Sequence, residues 1–200
     1  MIDVVEITIN EFKENIYDKY IKLFPKDEQR NWGKIEKTYK DGIEKFYKII
    51  LKDMTIGFFM LEKLSDNYPF YIDYFAIFNE FQNEGYGTKA MQILGNKITD
   101  GKGLIAEIEK ENINNPITIK RFEFYKRLGF NKIESEYLLY DVLYTPIINI
   151  NKNIDKRNMD IIFFDYYKAH FVFFLWNIHL IINFVFNSIS YFLFSIIFSK

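Results

Sequence analysis

The chain has 200 residues, 49% of them hydrophobic, which is ample for one domain with a packed core and argues against disorder. With 26 basic and 27 acidic side chains its formal charge is -1, so no general attraction to nucleic acid exists and no DNA or RNA partner is expected. The absence of cysteine removes disulfides, thiolate metal sites and an acyl-cysteine intermediate, and two histidines cannot build a histidine-rich metal cluster, so no metal is expected either.

The amino terminus lacks the basic-then-apolar build of a secretory signal, which places the body in the cytoplasm. Charges are scattered every few residues up to about Lys168, whereas Ala169 to Ser199 carries no Asp, Glu, Lys or Arg. Residues 1–168 therefore read as one domain and 169–200 as an appendage. The first strand is expected at 4–8. A helix follows from about Glu11, with Phe12, Ile16, Tyr20 and Leu23 at helical spacing, and then a connecting segment from Phe24 to Trp32. Strands at 46–51, 55–61 and 70–78 are separated by short turn signals, so they form an antiparallel meander. Beyond Phe78 the period changes: Tyr86, Ala90, Leu94 and Ile98 recur four apart, and the strand 103–109 can then lie parallel to its predecessor. The next helix has Asn115 as a cap, Pro116 at its first position and Gly129 at its end, with Lys126 and Arg127 complementing the carboxyl terminus. Strand-like stretches at 130–148 and 160–166, joined by the polar loop 151–158, complete a mixed α/β body.

Between the strand ending at Phe78 and the following helix lies Asn79-Glu80-Phe81-Gln82-Asn83-Glu84-Gly85-Tyr86-Gly87-Thr88. Glycines where a strand turns into a helix leave backbone N–H groups open to a phosphate, and the helix amino terminus adds partial positive charge, so no lysine is required. A turn with no ligand fits the loop equally well when it is taken alone. A dinucleotide fingerprint also fits Gly85-Tyr86-Gly87-Thr88-Lys89-Ala90, with Glu107 as the ribose acid, but there the glycines follow the strand directly, whereas here six residues intervene. A Walker loop is excluded because no Gly-Lys-Ser/Thr follows.

Gln82-Asn83-Glu84-Gly85-Tyr86-Gly87 resembles the Gln/Arg-x-x-Gly-x-Gly/Ala signature of the GCN5-related N-acetyltransferase (GNAT) family, and Phe124-Tyr125-Lys126-Arg127-Leu128-Gly129-Phe130 resembles that family's Leu/Phe-Tyr-x-x-x-Gly-Phe motif. The two occur in the family's order. The resemblance implies a mixed α+β GNAT-like acyl-CoA N-acyltransferase fold, with a central, mostly antiparallel, splayed sheet of six or seven strands flanked by helices. It implies acetyl-CoA as cosubstrate, with the backbone of Phe75, Ala76 and Ile77 facing the acetyl and pantetheine portions. The loop Gln82, Asn83, Glu84, Gly85, Tyr86, Gly87 and Thr88 would face the pyrophosphate. Thr118 stands where many members carry an asparagine seven residues before the tyrosine, and Asn115 is the nearest substitute.

Acetyl transfer from a thioester to an amine requires a base for the ammonium and a proton donor for the thiolate. Tyr125 is the candidate acid, at the position the resemblance assigns to the sulfur; read without it, Tyr125 is equally a core aromatic beside Phe122 and Leu128. Glu107 and Glu109 alternate onto one side of a strand, where two carboxylates can raise each other's pKa, and Asp73 is the third candidate base. Without cysteine the expected route is direct attack in a ternary complex. The amine acceptor and the oligomeric state carry no readable code, and a non-catalytic acetyl-CoA-binding regulator fits the same motifs.

Residues 171–198 are mostly apolar and exceed the roughly 20 needed to span a bilayer as a helix, although Asn177, His179, Asn183 and Asn187 interrupt them. Three readings fit: a membrane anchor, which would make the chain a membrane-associated interaction protein; a segment packed on the domain or in an oligomer; or a frame extension.

Overall fold

The computed structural model describes residues 1–63, 69–99, 102–133, 136–139 and 142–149. The strand expected at 160–166, the loop 151–158 and the tail 169–200 lie outside them. Among the described residues no helix is long and apolar enough to cross a membrane.

The elements in order are β1 (Ile2–Ile7), α1 (Ile9–Asn15), α2 (Tyr17–Leu23), α3 (Trp32–Lys40), β2 (Glu44–Leu51), β3 (Met54–Glu62), β4 (Phe70–Ile77), α4 (Tyr86–Ile93), β5 (Leu104–Glu109), α5 (Pro116–Arg127), β6 (Asn131–Lys132), β7 (Tyr137–Leu139) and β8 (Val142–Asn149). They build one sheet in the order β1-β2-β3-β4-β5-β8-β6, with β7 also paired to β8. Because β5 runs beside β8 along its length, β6 and β7 share the other edge, giving eight strands in seven positions. All pairings are antiparallel except β4 with β5, the parallel crossover expected from the helix between them.

The helix expected from Glu11 to Leu23 is two helices. A capping box starts the first: Thr8 Oγ1 accepts from the Glu11 N–H, and the Thr8 N–H donates to Glu11 Oε2. Ile16, fully buried, leaves helical geometry at φ -126° and lets the chain bend so that Phe12 and Tyr20 both reach the core. Helix α3 lies beyond the segment read as a connection; Asn31 Oδ1 caps it by accepting from the Lys34 N–H at 3.0 Å. The long strand expected at 130–148 is broken into β6 and a β7–β8 hairpin.

Asn115 occupies the cap position of α5 but makes no side-chain bond. Thr118 ties the preceding loop to the first turn: its hydroxyl accepts from the Asn112 N–H at 2.9 Å and donates to the Asn115 carbonyl at 2.8 Å. At the other end Gly129 adopts φ 85°, and the Phe130 and Gly129 N–H groups donate back to Tyr125 and Lys126, a Schellman motif that fixes where Tyr125 sits on the last turn.

The sheet is covered on both faces. Helices α4 and α5 pack over Ile49, Phe59, Ile72, Ala106, Ile108 and Ile147, and α1 to α3 pack over Ile7, Phe46, Phe58, Met60, Tyr74 and Phe78. Gly57 on β3 allows the closest approach within the sheet: a Cβ there would lie 2.3 Å from the Ala76 carbonyl oxygen of β4. Gly57→Ala is therefore expected to cost about 1–3 kcal/mol as overpacking, read as a lowered midpoint in a denaturant melt.

Candidate active site

Strands β4 and β5 pair at only three positions, Phe70 with Leu104, Tyr71 with Ile105 and Ile72 with Ala106. Opposite the junction of Met60 and Leu61 the β3–β4 register slips, leaving Asp73 as an extra residue in β4. Such a bulge bends its strand, and here the strands part just beyond it. Among the described residues, β4 runs on to Ile77 with only β3 beside it and β5 runs on to Glu109 with only β8. The facing backbone edges are left with N–H and C=O groups that a bound molecule can satisfy. This is the splay expected at the sequence level, and Phe75, Ala76 and Ile77 lie on its β4 edge.

The glycine loop closes one end of this opening. A single 3-10 turn at Asn79–Phe81 leads into Gln82, whose side-chain amide donates to the Ile77 carbonyl at 2.9 Å and to Asn79 Oδ1 at 3.0 Å. Gln82 thus braces the loop with its side chain. Asn83 at φ 65° and Gly85 at φ 76° are both left-handed, a conformation that turns successive N–H groups toward one side. Gly85 begins α4 without any side-chain cap, so the N–H groups of Tyr86, Gly87 and Thr88 have no partner within the helix. A Cβ at Gly87 would rest 3.5 Å from the Phe75 and Phe124 rings, an ordinary contact that places α4 against both. Glu84 is exposed beside these amides. The cradle fits an anionic group such as a pyrophosphate.

On the α4–α5 face, Tyr125 is only 8% exposed, with its ring edge-on to Phe124 and Phe130. Its hydroxyl makes no hydrogen bond to a described residue. Burial pushes its pKa up to about 12, with Arg121 one turn away acting in the opposite direction.

On the other face, Glu107 and Glu109 flank the buried Ile108, and Glu109 pairs with Arg121 at 3.3 Å. Their cross-strand partners are Pro146 and Tyr144. Two groups that the sequence did not single out join them. Burial, then the charges of Glu28, Glu109 and Glu107, raise the Tyr144 phenol above its ordinary range. Burial and the charge of Glu109 raise the Glu28 carboxyl, while Arg121 and the Tyr144 hydroxyl act in the opposite direction. One guanidinium, Arg121, is thus a common neighbour of Tyr125, Glu109, Glu28 and Tyr144.

Asp73 has a different setting. Its carboxylate lies 2.7 Å from Arg30, which also pairs with Glu62 at 3.3 Å and with Glu44. Glu44 and Glu62 are buried, and the Thr38 hydroxyl donates to Glu44. The three carboxylates lie close enough to hold a cation, but the Arg30 guanidinium already stands among them. Burial raises the Glu44 carboxyl despite Arg30, consistent with one guanidinium among three acids. A sequence signal existed: Glu44 shares strand parity with Phe46, and Glu62 with Met60, all facing inward.

Arg30→Met is expected to cost about 3–5 kcal/mol at neutral pH, because the buried Glu44 and Glu62 and the partly buried Asp73 lose their cation. Without Arg30 nothing of that charge offsets the burial that already raises the Glu44 carboxyl, so the folded form binds more protons than the unfolded one and the deficit shrinks as pH falls from 7 toward 5. Denaturant melts at the two pH values check both statements.

A separate cavity of about 180 Å³ lies at the far end of α4, lined by Met91, Asn96, Thr99, Phe130 and Asn149 among others, away from the β4–β5 opening.

The fold has counterparts among solved structures. A protein from Bacteroides thetaiotaomicron assigned to the GNAT acetyltransferases superposes with a TM-score of 0.69 at 21% identity, over 88% of this chain and 99% of that one. The chain has the GNAT acyltransferase fold. Two further structures with the GNAT fold are the ribosomal-protein-S18-alanine N-acetyltransferase of Escherichia coli, with a TM-score of 0.52 at 16% identity over 78% of this chain and 99% of that one, and Arabidopsis thaliana NAA60 in complex with acetyl-CoA, with a TM-score of 0.56 at 10% identity over 76% and 99%. No family model matches the chain, and no curated protein does. The sheet count and mostly antiparallel order of this GNAT fold agree with what the two sequence motifs implied.

Proposed function

We propose that the chain is an acetyl-CoA-dependent N-acetyltransferase that moves an acetyl group to a primary amine by direct attack in a ternary complex. The observation that carries this reading is the β4–β5 opening itself, followed by a left-handed glycine loop that leaves the first amides of α4 uncapped. Two structural neighbours described as acetyltransferases and a third in complex with acetyl-CoA support it.

Acetyl-CoA would supply the activated acyl carbon. The amides from Asn83 to Thr88 hold the pyrophosphate, and the free edge of Phe75 to Ile77 holds the pantetheine and polarises the thioester carbonyl. Glu107 or Glu109, through water, takes the proton of the attacking amine as the C–N bond forms. Tyr125 donates to the sulfur as the C–S bond breaks, so the proton lost by the amine is balanced by the one gained by the thiol. Asp73 is held by Arg30 in an ion pair at 2.7 Å, which makes it the least available of the three candidates. Residues 1–168 are the catalytic unit of this reading, with 169–200 appended to it.

The test is initial-rate kinetics with a panel of primary amines, following thiol release. Intersecting double-reciprocal lines are expected; parallel lines, the mark of a covalent acyl-protein, would overturn the direct route.

A further inference from the structure

We infer that Arg30 is a positioning residue for the acetyl transfer: acting through Asp73 it holds the β4 bulge, and the bulge decides which backbone groups of β4 face the opening. The inference rests on the acetyltransferase reading. Phe70 and Phe78 are an even number of residues apart, yet the Phe70 N–H donates to the Gly103 carbonyl on the β5 side at 3.1 Å, and the Phe78 N–H donates to the Ile56 carbonyl of β3 at 2.8 Å. In an unbroken strand both would point to the same edge. The side chains reverse as well: Phe70 and Ile72 pack toward α4 and α5, whereas Tyr74 and Phe78 pack toward α1 to α3. The extra residue between the two patterns is Asp73. Beyond it, Phe75 and Ile77 turn their N–H and C=O groups to the opening. Without the bulge the same groups would be turned to β3.

Two ties reach the bulge from one short stretch of the α2–α3 connection. The Arg30 guanidinium lies 2.7 Å from the Asp73 carboxylate, and the Tyr74 hydroxyl donates to the Glu28 carbonyl. That stretch is itself anchored, because the Gln29 side chain donates to the Ile21 and Phe24 carbonyls and the Arg30 N–H donates to the Tyr20 hydroxyl. From there the guanidinium also reaches Glu62 of β3 at 3.3 Å and Glu44 of β2. Those two glutamates stand directly opposite each other in the β2–β3 register, where like charges repel, so the cation is held between them. One planar fork thus spans β2, β3 and the bulge, a reach that the point charge of a lysine does not reproduce.

The test compares the full chain with Arg30→Lys and Asp73→Asn in calorimetry, using acetyl-CoA and 3′-phosphoadenosine 5′-diphosphate, the part of that molecule that lacks the pantetheine arm. Misaimed amides weaken the hold on the arm and leave the phosphate cradle as it was. In both variants the preference for acetyl-CoA over the fragment is expected to fall at least about fivefold, with the fragment's dissociation constant unchanged, and the double variant is expected to fall no further than either alone. Loss of a proton acceptor at Asp73 would alter turnover and not this ratio, and a loss of stability in a protein that still folds would not move it. Should Arg30→Lys fail to fold, Asp73→Asn, which leaves Arg30 paired with both glutamates, gives the deciding ratio. A parent-like ratio in Asp73→Asn would overturn the inference while leaving the acetyltransferase reading intact. Failure of the parent chain to bind acetyl-CoA would remove that reading, and this inference with it.

Discussion

Tyr125→Phe lowers kcat by about a hundred- to a thousand-fold, while the KM for acetyl-CoA and the thermal midpoint stay near those of the parent. The stability half follows from packing. The ring sits edge-on between Phe124 and Phe130, and its hydroxyl has no hydrogen bond to a described residue to lose, so the phenylalanine keeps every contact that holds the helix. The kinetic half follows from charge. With its pKa pushed up to about 12, the phenol stays protonated at physiological pH and is always a donor. Full transfer of its proton to a thiolate whose conjugate acid lies near 8.5 in water would be uphill by roughly 5 kcal/mol. Tyr125 therefore acts first as a hydrogen-bond donor to the growing charge on sulfur, and gives up the proton only as one returns to it from the base. Because its pKa lies above the ordinary value near 10, it contributes no loss of rate between pH 7 and 10; its alkaline limb begins only as pH approaches 12. Thiol-release rates across that range check both statements, and parent-like turnover by Tyr125→Phe would contradict the assignment.

Gly85→Glu combined with Gly87→Glu reduces acetyl-CoA affinity at least a hundredfold in calorimetry. Position 85 sits at φ 76° with no atom within 4 Å of a Cβ, so the penalty there is backbone conformation, about 1–2 kcal/mol, rather than collision. Position 87 meets only the Phe75 and Phe124 rings at ordinary contact distance, so the fold accepts a side chain. What changes is that carboxylates now lie over the uncapped amides of α4, where an internal anion competes with the phosphates and repels them. Gly85→Asn, which tolerates the left-handed region, serves as the control and is expected to bind within a few-fold of the parent. Equal loss in that control would assign the effect to the loop's folding.

The backbone geometry of these two stretches was legible because it is local. The glycine loop and the last turn of α5 occupy short stretches whose geometry is dictated by neighbours in the chain, as the left-handed Gly85 and Gly129 show. The β2–β4 meander was legible for the same reason. Helix α3 was not, because its nine residues carry lysines and a single fully buried apolar side chain, Ile35. Nor was the break at Ile16, where a periodic apolar pattern continues across a bend that tertiary packing imposes. The Arg30 cluster and the meeting of Glu28 with Tyr144 unite residues from the α2–α3 connection with four strands. Only the closed fold makes them neighbours. Asp73 shows the limit from the other side: its residue type suggested a base, and its place as a bulge residue beside Arg30 could come only from register.

The measurement that bears most directly on the central claim is to incubate the full chain with acetyl-CoA labelled in the acetyl group and a mixture of primary amines, then separate protein, coenzyme and amine. Label on an amine, one thiol released per acetyl transferred and no label retained by the protein are expected. Label held covalently on the chain, or bound acetyl-CoA that never passes its acetyl group to any amine, would contradict it.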